Sequence, residues 1–258
     1  AITEALEAAP AVNLRGIHCH IGSQLLDADT HVQAVGVMVG FLREIADRTG
    51  RPLEELDLGG GLGVRYLESQ APPTIGAFAD TVVMTLKEAL AEHAVPVPTL
   101  LLEPGRSIVG EAGTTLYTVG AIKTVPIPEA PGERIYVAVD GGLSDNPRPA
   151  LYESVYECVI ANKAGEAKDK LVTIAGKHCE TDILIWDTWV GDVHPGDVMA
   201  VLSTGAYNYS MASNYNRFTK PACVFVRDGK ADLVSRRETL DDVVRLDILP
   251  DRLAANHG

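Results

Sequence analysis

No stretch of this 258-residue chain approaches the roughly 18 apolar residues of a membrane span. Positive charge is also scarce: 22 lysines and arginines face 35 aspartates and glutamates, a net charge of −13. Such an excess of negative charge repels nucleic acid and anionic membranes, so neither is an expected partner. Cysteine is limited to Cys19, Cys158, Cys179 and Cys223, with no C-x-x-C pair and no zinc pattern. Widely spaced cysteines point to reduced thiols and a cytoplasmic location. A basic n-region is missing too. The opening AITEALEAAP carries two glutamates, so it reads as the end of a helix and not as a signal peptide, as if the chain started mid-fold.

What is present is the composition of an ordinary globular protein, 46% hydrophobic and 22% charged. The first part alternates two periodicities. Strand-like runs at Leu14–His20, 55–58 and 99–102 alternate with helical patterns. One helix is predicted over 30–48 (Val32, Val35, Val39, Leu42, Ile45) and ends at Gly50 and Pro52. A second is predicted over 75–93 (Ile75, Phe78, Val82, Leu86, Leu90). Strand–helix alternation implies parallel strands with right-handed crossovers. From about residue 112 the runs TTLYTVGAI, RIYVAV, LVTIA, VMAVL and ACVFVR are strand-like, separated by Gly, Pro and Asp turns. Two domains are expected, 1–111 of α/β type and 112–258 mainly β, with no repeat or flexible linker between them.

Three segments follow the three strands of the α/β part, where such folds build their sites. His18 and His20 share one face of a strand with Cys19 opposite; no further ligand lies at metal spacing, so no metal site is expected. Asp57-Leu58-Gly59-Gly60-Gly61-Leu62-Gly63 can curl its backbone around an anion, yet it is neither a Walker A loop nor a clean G-x-G-x-x-G. Glu103-Pro104-Gly105-Arg106 sets a carboxylate beside a guanidinium. Each alone fits a bland reading: packed histidines, a tight turn, a surface salt bridge. Together they suit a phosphorylated aromatic cofactor whose ring nitrogen a carboxylate keeps protonated.

The ordered segments GIHCHIGSQ, LDLGGGLG, EPGR, VDGGLSDNPRPALY, GKHCE and GAYNYSMASNYN resemble the diaminopimelate decarboxylase family, within the alanine racemase-like (fold type III) enzymes. The resemblance covers nearly the whole chain. It implies the C-terminal part of a (β/α)8 barrel that binds pyridoxal 5′-phosphate (PLP), followed by a mainly β domain. It implies that His20 stacks on the cofactor ring, that Ser23, Gly59, Gly60 and Gly61 hold the phosphate, and that Glu103 pairs with the ring nitrogen. Gly105 and Arg106 would lie at the cofactor edge, Arg106 also meeting a substrate carboxylate. Arg148 and Tyr152 would grip the far end of the substrate, Glu180 its distal ammonium, and Tyr207 would touch phosphate and substrate. Cys179 would donate the proton, with His178 and Lys177 beside it in sequence to favour its thiolate. The implied reaction is decarboxylation of meso-2,6-diaminoheptanedioate to L-lysine, in a homodimer whose active sites mix both chains.

One expected residue has no counterpart. The family's cofactor lysine lies upstream of the histidine segment, and none of the eight lysines here stands in such a strand; Lys87 falls on the outer face of a helix. A barrel of this kind needs about 200–250 residues, against the ~110 of barrel character here. The chain is therefore expected to be a fragment, a split gene product or the remainder of a longer protein, and inactive by itself. The loop Cys179-Glu180-Thr181-Asp182 is one small residue shorter than the family pattern. Two other readings stay open: a decarboxylase of ornithine, arginine or carboxynorspermidine, which Arg106 with Arg148 disfavours, and a non-catalytic truncated homologue.

Overall fold

The computed structural model describes residues 2–8, 11, 13–128 and 131–254. It divides into two compact units, Ala1–Thr114 with Leu202–Ala206, and Thr115–Val201 with Tyr207–Gly258.

The first unit runs α1 (Ile2–Ala8), β1 (Gly16–His18), α2 (Asp29–Thr49), β2 (Glu55–Asp57), α3 (Ile75–Glu92), β3 (Thr99–Leu101) and α4 (Arg106–Val109). Apolar residues at helical spacing give α2 and α3 one buried face each: Val35, Val39, Leu42 and Ile45 on α2, Phe78, Val82, Leu86 and Leu90 on α3. Gly50 ends α2 in the left-handed region, its N–H bonded to Ala46 O, and the Thr74 hydroxyl caps α3 by accepting from Ala77 N. Ile75, assigned to the apolar face from its spacing, is 58% exposed. It is the first helical residue, one turn before Phe78 enters the core.

Strands β1, β2 and β3 are parallel in that order, with Leu56 of β2 fully buried between the helices and the sheet. Each strand is only three residues long, but ladder bonds continue beyond them. Cys19 N donates to Asp57 O (3.0 Å), Leu58 N to Leu101 O (3.1 Å) and Glu103 N to Gly59 O (2.8 Å). The three segments that follow the strands are thus laid side by side by backbone pairing. Residues 202–206 return to this unit from far along the chain: Thr204 N donates to Gly113 O and Gly205 N to Gly110 O, both at 2.9 Å.

The second unit contains β4 (Thr115–Pro126), β5 (Glu133–Val139), α5 (Arg148–Tyr152), β6 (Cys158–Ile160), β7 (Lys170–Ala175), β8 (Ile183–Val190), β9 (Val198–Val201), β10 (Cys223–Arg227), β11 (Lys230–Ser235), α6 (Leu240–Val244) and α7 (Asp251–Ala254). Six strands form one sheet in the order β6-β9-β4-β5-β7-β8, antiparallel except for the pair β5–β7. Val119, Val137, Ile174, Leu184, Met199 and Tyr156 are buried here. β10 and β11 form a separate antiparallel hairpin. Among the described residues no helix is long and apolar enough to cross a membrane.

Candidate functional site

The glycine segment after β2 is held from all sides. His20 Nδ1 accepts from Gly60 N–H (3.3 Å), and Asp57 Oδ1 accepts from Gly59 N–H (2.8 Å). From α2, His31 Nε2 donates to the Gly60 carbonyl at 3.0 Å; this histidine is 1% exposed and lies edge-on to Phe78. The chain approaches so closely that side chains have no room. A Cβ on Gly60 would stand 2.3 Å from Glu103 O, and one on Gly61, at φ 112°, would stand 2.6 Å from Gly22 O. Glycine is therefore required for the loop to lie against the neighbouring strand ends.

Glu103 and Arg106 take different partners. Glu103 Oε2 is 3.5 Å from His18 Nε2, and both side chains are about half exposed. Asp57 joins them, each of the three placing one oxygen or nitrogen within 4.8 Å of the others. Local spacing could not reveal this trio, because three separate strands bring it together. Gly105 precedes α4, whose first turn carries Arg106 inward to 7% exposure. There Arg106 Nη1 donates to the Tyr66 hydroxyl and Nη2 to Ser23 Oγ (3.1 Å), with the guanidinium 5.6 Å from the Tyr66 ring centre. The arginine and the serine hydroxyl offer N–H and O–H donors suited to an anion, whereas the Gly59 and Gly60 N–H groups are taken by Asp57 and His20.

The second unit holds its own group. Arg148, on α5, lies 5.4 Å from the Tyr152 ring centre and 5.5 Å from that of Tyr207, and its Nη2 donates to Ser154 Oγ at 3.1 Å. Cation–π contacts of this kind orient a guanidinium, whose Nε is buried here without a hydrogen-bond partner. Tyr152 and Tyr207 are 60% and 43% exposed. Cys179 and Glu180 are exposed on the loop between β7 and β8. The sequence neighbours of Cys179 do not serve it as expected. Lys177 Nζ lies 4.2 Å from the Phe218 ring centre, and His178 is buried with its Nε2 at 2.9 Å from Ser144 Oγ. The sulfur instead meets Asn216 Nδ2 at 3.8 Å, and Glu180 Oε1 accepts from the Tyr215 hydroxyl at 2.5 Å. His31 and Tyr66 escape a sequence reading. Tyr215 and Asn216 end the segment GAYNYSMASNYN but drew no role from it, although asparagine favours the left-handed backbone that Asn216 adopts here (φ 53°).

Known proteins share this arrangement in part. Residues 1–110 match the family model of the pyridoxal-dependent decarboxylase pyridoxal binding domain. More narrowly, the chain is a partial homologue of the diaminopimelate decarboxylases. It is 49% identical to the enzyme of Bacillus subtilis (strain 168) over 92% of this chain and 53% of that one, and 46% identical to that of Synechocystis over 95% and 51%. Its fold superposes on the crystal structure of diaminopimelate decarboxylase from M. jannaschii in complex with L-lysine with a TM-score of 0.88, at 34% identity, covering 97% of this chain and 56% of that one. The chain thus spans about half the length of the relatives it matches.

Proposed function

We propose that this chain supplies cofactor and substrate groups for the PLP-dependent decarboxylation of meso-2,6-diaminoheptanedioate to L-lysine, the last step of lysine biosynthesis. The observation that carries the reading is the set of donors and acceptors after β1, β2 and β3. Ser23 and Arg106 suit a phosphate beside the turn Gly59-Gly60-Gly61, and Glu103 suits a protonated ring nitrogen. His20, tied at Nδ1 to Gly60, presents its ring as a stacking surface. When bound, PLP supplies the electron sink that lets carbon dioxide leave.

The remaining roles fall to the chain's own side chains. Arg148, flanked by Tyr152 and Tyr207, receives the distal carboxylate, and Glu180 the distal ammonium. Tyr207 also meets the phosphate, and Arg106 with Gly105 the reacting end. Cys179 Sγ holds the proton delivered to the carbon that lost carbon dioxide. In this reading residues 1–111 supply most of the cofactor groups and 112–258 most of the substrate groups, the protein is a cytoplasmic homodimer with shared sites, and none of this chain's lysines serves as the cofactor lysine.

The test fuses the chain to the part of the Bacillus subtilis relative outside the match and measures L-lysine and carbon dioxide from meso-2,6-diaminoheptanedioate, with ornithine and arginine as competitors. Lysine is the expected product, and Arg148→Ala lowers kcat/KM about 100-fold through loss of a charged hydrogen bond. Turnover of ornithine with none of the diaminoheptanedioate overturns the substrate assignment. In the same assay, a heterodimer of Cys179→Ala and Arg106→Ala chains recovers activity; a silent heterodimer argues for sites built within one chain.

A further inference from the structure

The loop that carries Cys179 is closed at its base. Gly176 N donates to Asp182 O (2.7 Å), and the buried Asp182 carboxylate accepts from His178 N (3.1 Å) and Leu143 N (2.9 Å). His178 and Asp182 are buried, and between them Cys179, Glu180 and Thr181 stand clear. Facing them is the turn Ser213–Phe218, itself anchored at both ends. Ser213 N donates to Ser144 O (2.8 Å), and Asn214 Nδ2 donates to Phe218 O (2.9 Å) and Glu238 Oε2 (2.6 Å). The His178 ring packs against Tyr215 and Phe218 at 5.3 and 5.1 Å between centres, which locks loop and turn together.

At the tip of this turn Asn216 and Arg217 both adopt positive φ (53° and 61°). Left-handed backbone at two consecutive non-glycine residues costs free energy, so the surrounding contacts must hold it. The result is that Asn216 Nδ2 points at Cys179 Sγ while Tyr215 Oη points at Glu180.

We propose that Asn216 is a positioning residue for the Cys179 thiol, its amide donating to the sulfur and fixing the direction in which the proton is given up. The inference rests on the reading of Cys179 as proton donor. An N–H aimed at sulfur favours the thiolate, the form left once the proton has gone. The other charged or titratable groups of the two segments are engaged elsewhere or act as a background. Lys177 lies over Phe218, His178 is bonded to Ser144, Asp182 to backbone, Arg217 to Asp247 (2.9 Å), and Tyr215 to Glu180.

The experiment needs neither cofactor nor turnover. Alkylation of the chain by iodoacetamide is followed from pH 6 to 10, with Cys179 read by peptide mass spectrometry apart from the other three cysteines. Asn216→Gly keeps the positive φ and removes the donor; Asn216→Asp keeps the shape and adds a negative charge. Alkylation of Cys179 is expected to slow roughly three- to tenfold near neutral pH in Asn216→Gly. It slows further in Asn216→Asp. A parental rate in Asn216→Gly, with only Asn216→Ala disturbed, overturns the proposal and leaves Asn216 a backbone role alone. Because the readout is the thiol itself, failure of the decarboxylase reading leaves this result standing, and the reverse also holds.

Discussion

Asp197 collects three donors on one carboxylate: Lys163 Nζ at 2.8 Å, Asn162 Nδ2 at 2.8 Å and His194 N at 2.7 Å. These bonds, the lysine's first, hold its pKa down to about 2, below the ordinary ~3.9 of an aspartate. A depressed carboxylate contributes stability in full above pH ~4 and loses it as the pH falls through 2. Asp197→Asn should therefore lower unfolding stability by about 2 kcal/mol at pH 7, the scale of a charged hydrogen bond. Chemical denaturation of both proteins at pH 7, 4 and 2.5 should show the gap narrowing with acid. A gap that stays constant would mean that the charge contributes nothing. The cysteines differ at this same scale. Cys158 is 1% exposed and burial pushes it up to about 11, whereas Cys179 is exposed and meets an amide.

At the scale of elements, the turn after β5 and the loop after β7 are fitted to each other through Asp182. A Cβ on Gly142 would come within 2.1 Å of Asp182 Oδ2 and 3.0 Å of the His178 ring, and Asp182 cannot step aside without breaking its bonds to Leu143 and His178. Gly142→Ala is expected to destabilise by about 2 kcal/mol, as overpacking does, and to expose the His178 amide to hydrogen exchange. Gly165→Ala, where nothing lies within 4 Å, is the neutral comparison. Equal effects of the two would show that the fit around Asp182 is slack. The elements themselves were legible because they are local: α2 and α3 announce themselves by spacing and caps, and the strand–glycine junctions by composition. Pairings across distance were not. Nothing in the sequence orders the six-stranded sheet, returns residues 202–206 to the first unit, or sets His31 beneath Gly60, because each depends on side chains packing from distant segments. Lys177 and His178 misled for the same reason: adjacency in sequence said nothing about where two neighbouring side chains on a bend would turn.

The whole molecule sets two of its properties against each other. Its second unit exposes large apolar side chains close together in sequence, among them Phe225 (65%), Val226 (74%), Leu246 (78%) and Ile248 (88%). In the first unit, β1 and β3 each pair on one side only among the described residues. Surfaces and edges of this kind favour association of copies through apolar burial and strand pairing. Against this stands the charge of −13, whose repulsion opposes further association at neutral pH. The repulsion vanishes near the isoelectric point of about 4.9, while the apolar surfaces do not titrate. Light scattering at fixed ionic strength should therefore pass through a maximum close to that pH and fall on either side. At pH 7, added salt should raise scattering as screening shortens to about 8 Å at 0.15 M. A flat profile, or scattering that climbs steadily into acid without a maximum, would show that partial unfolding and not lost repulsion drives association.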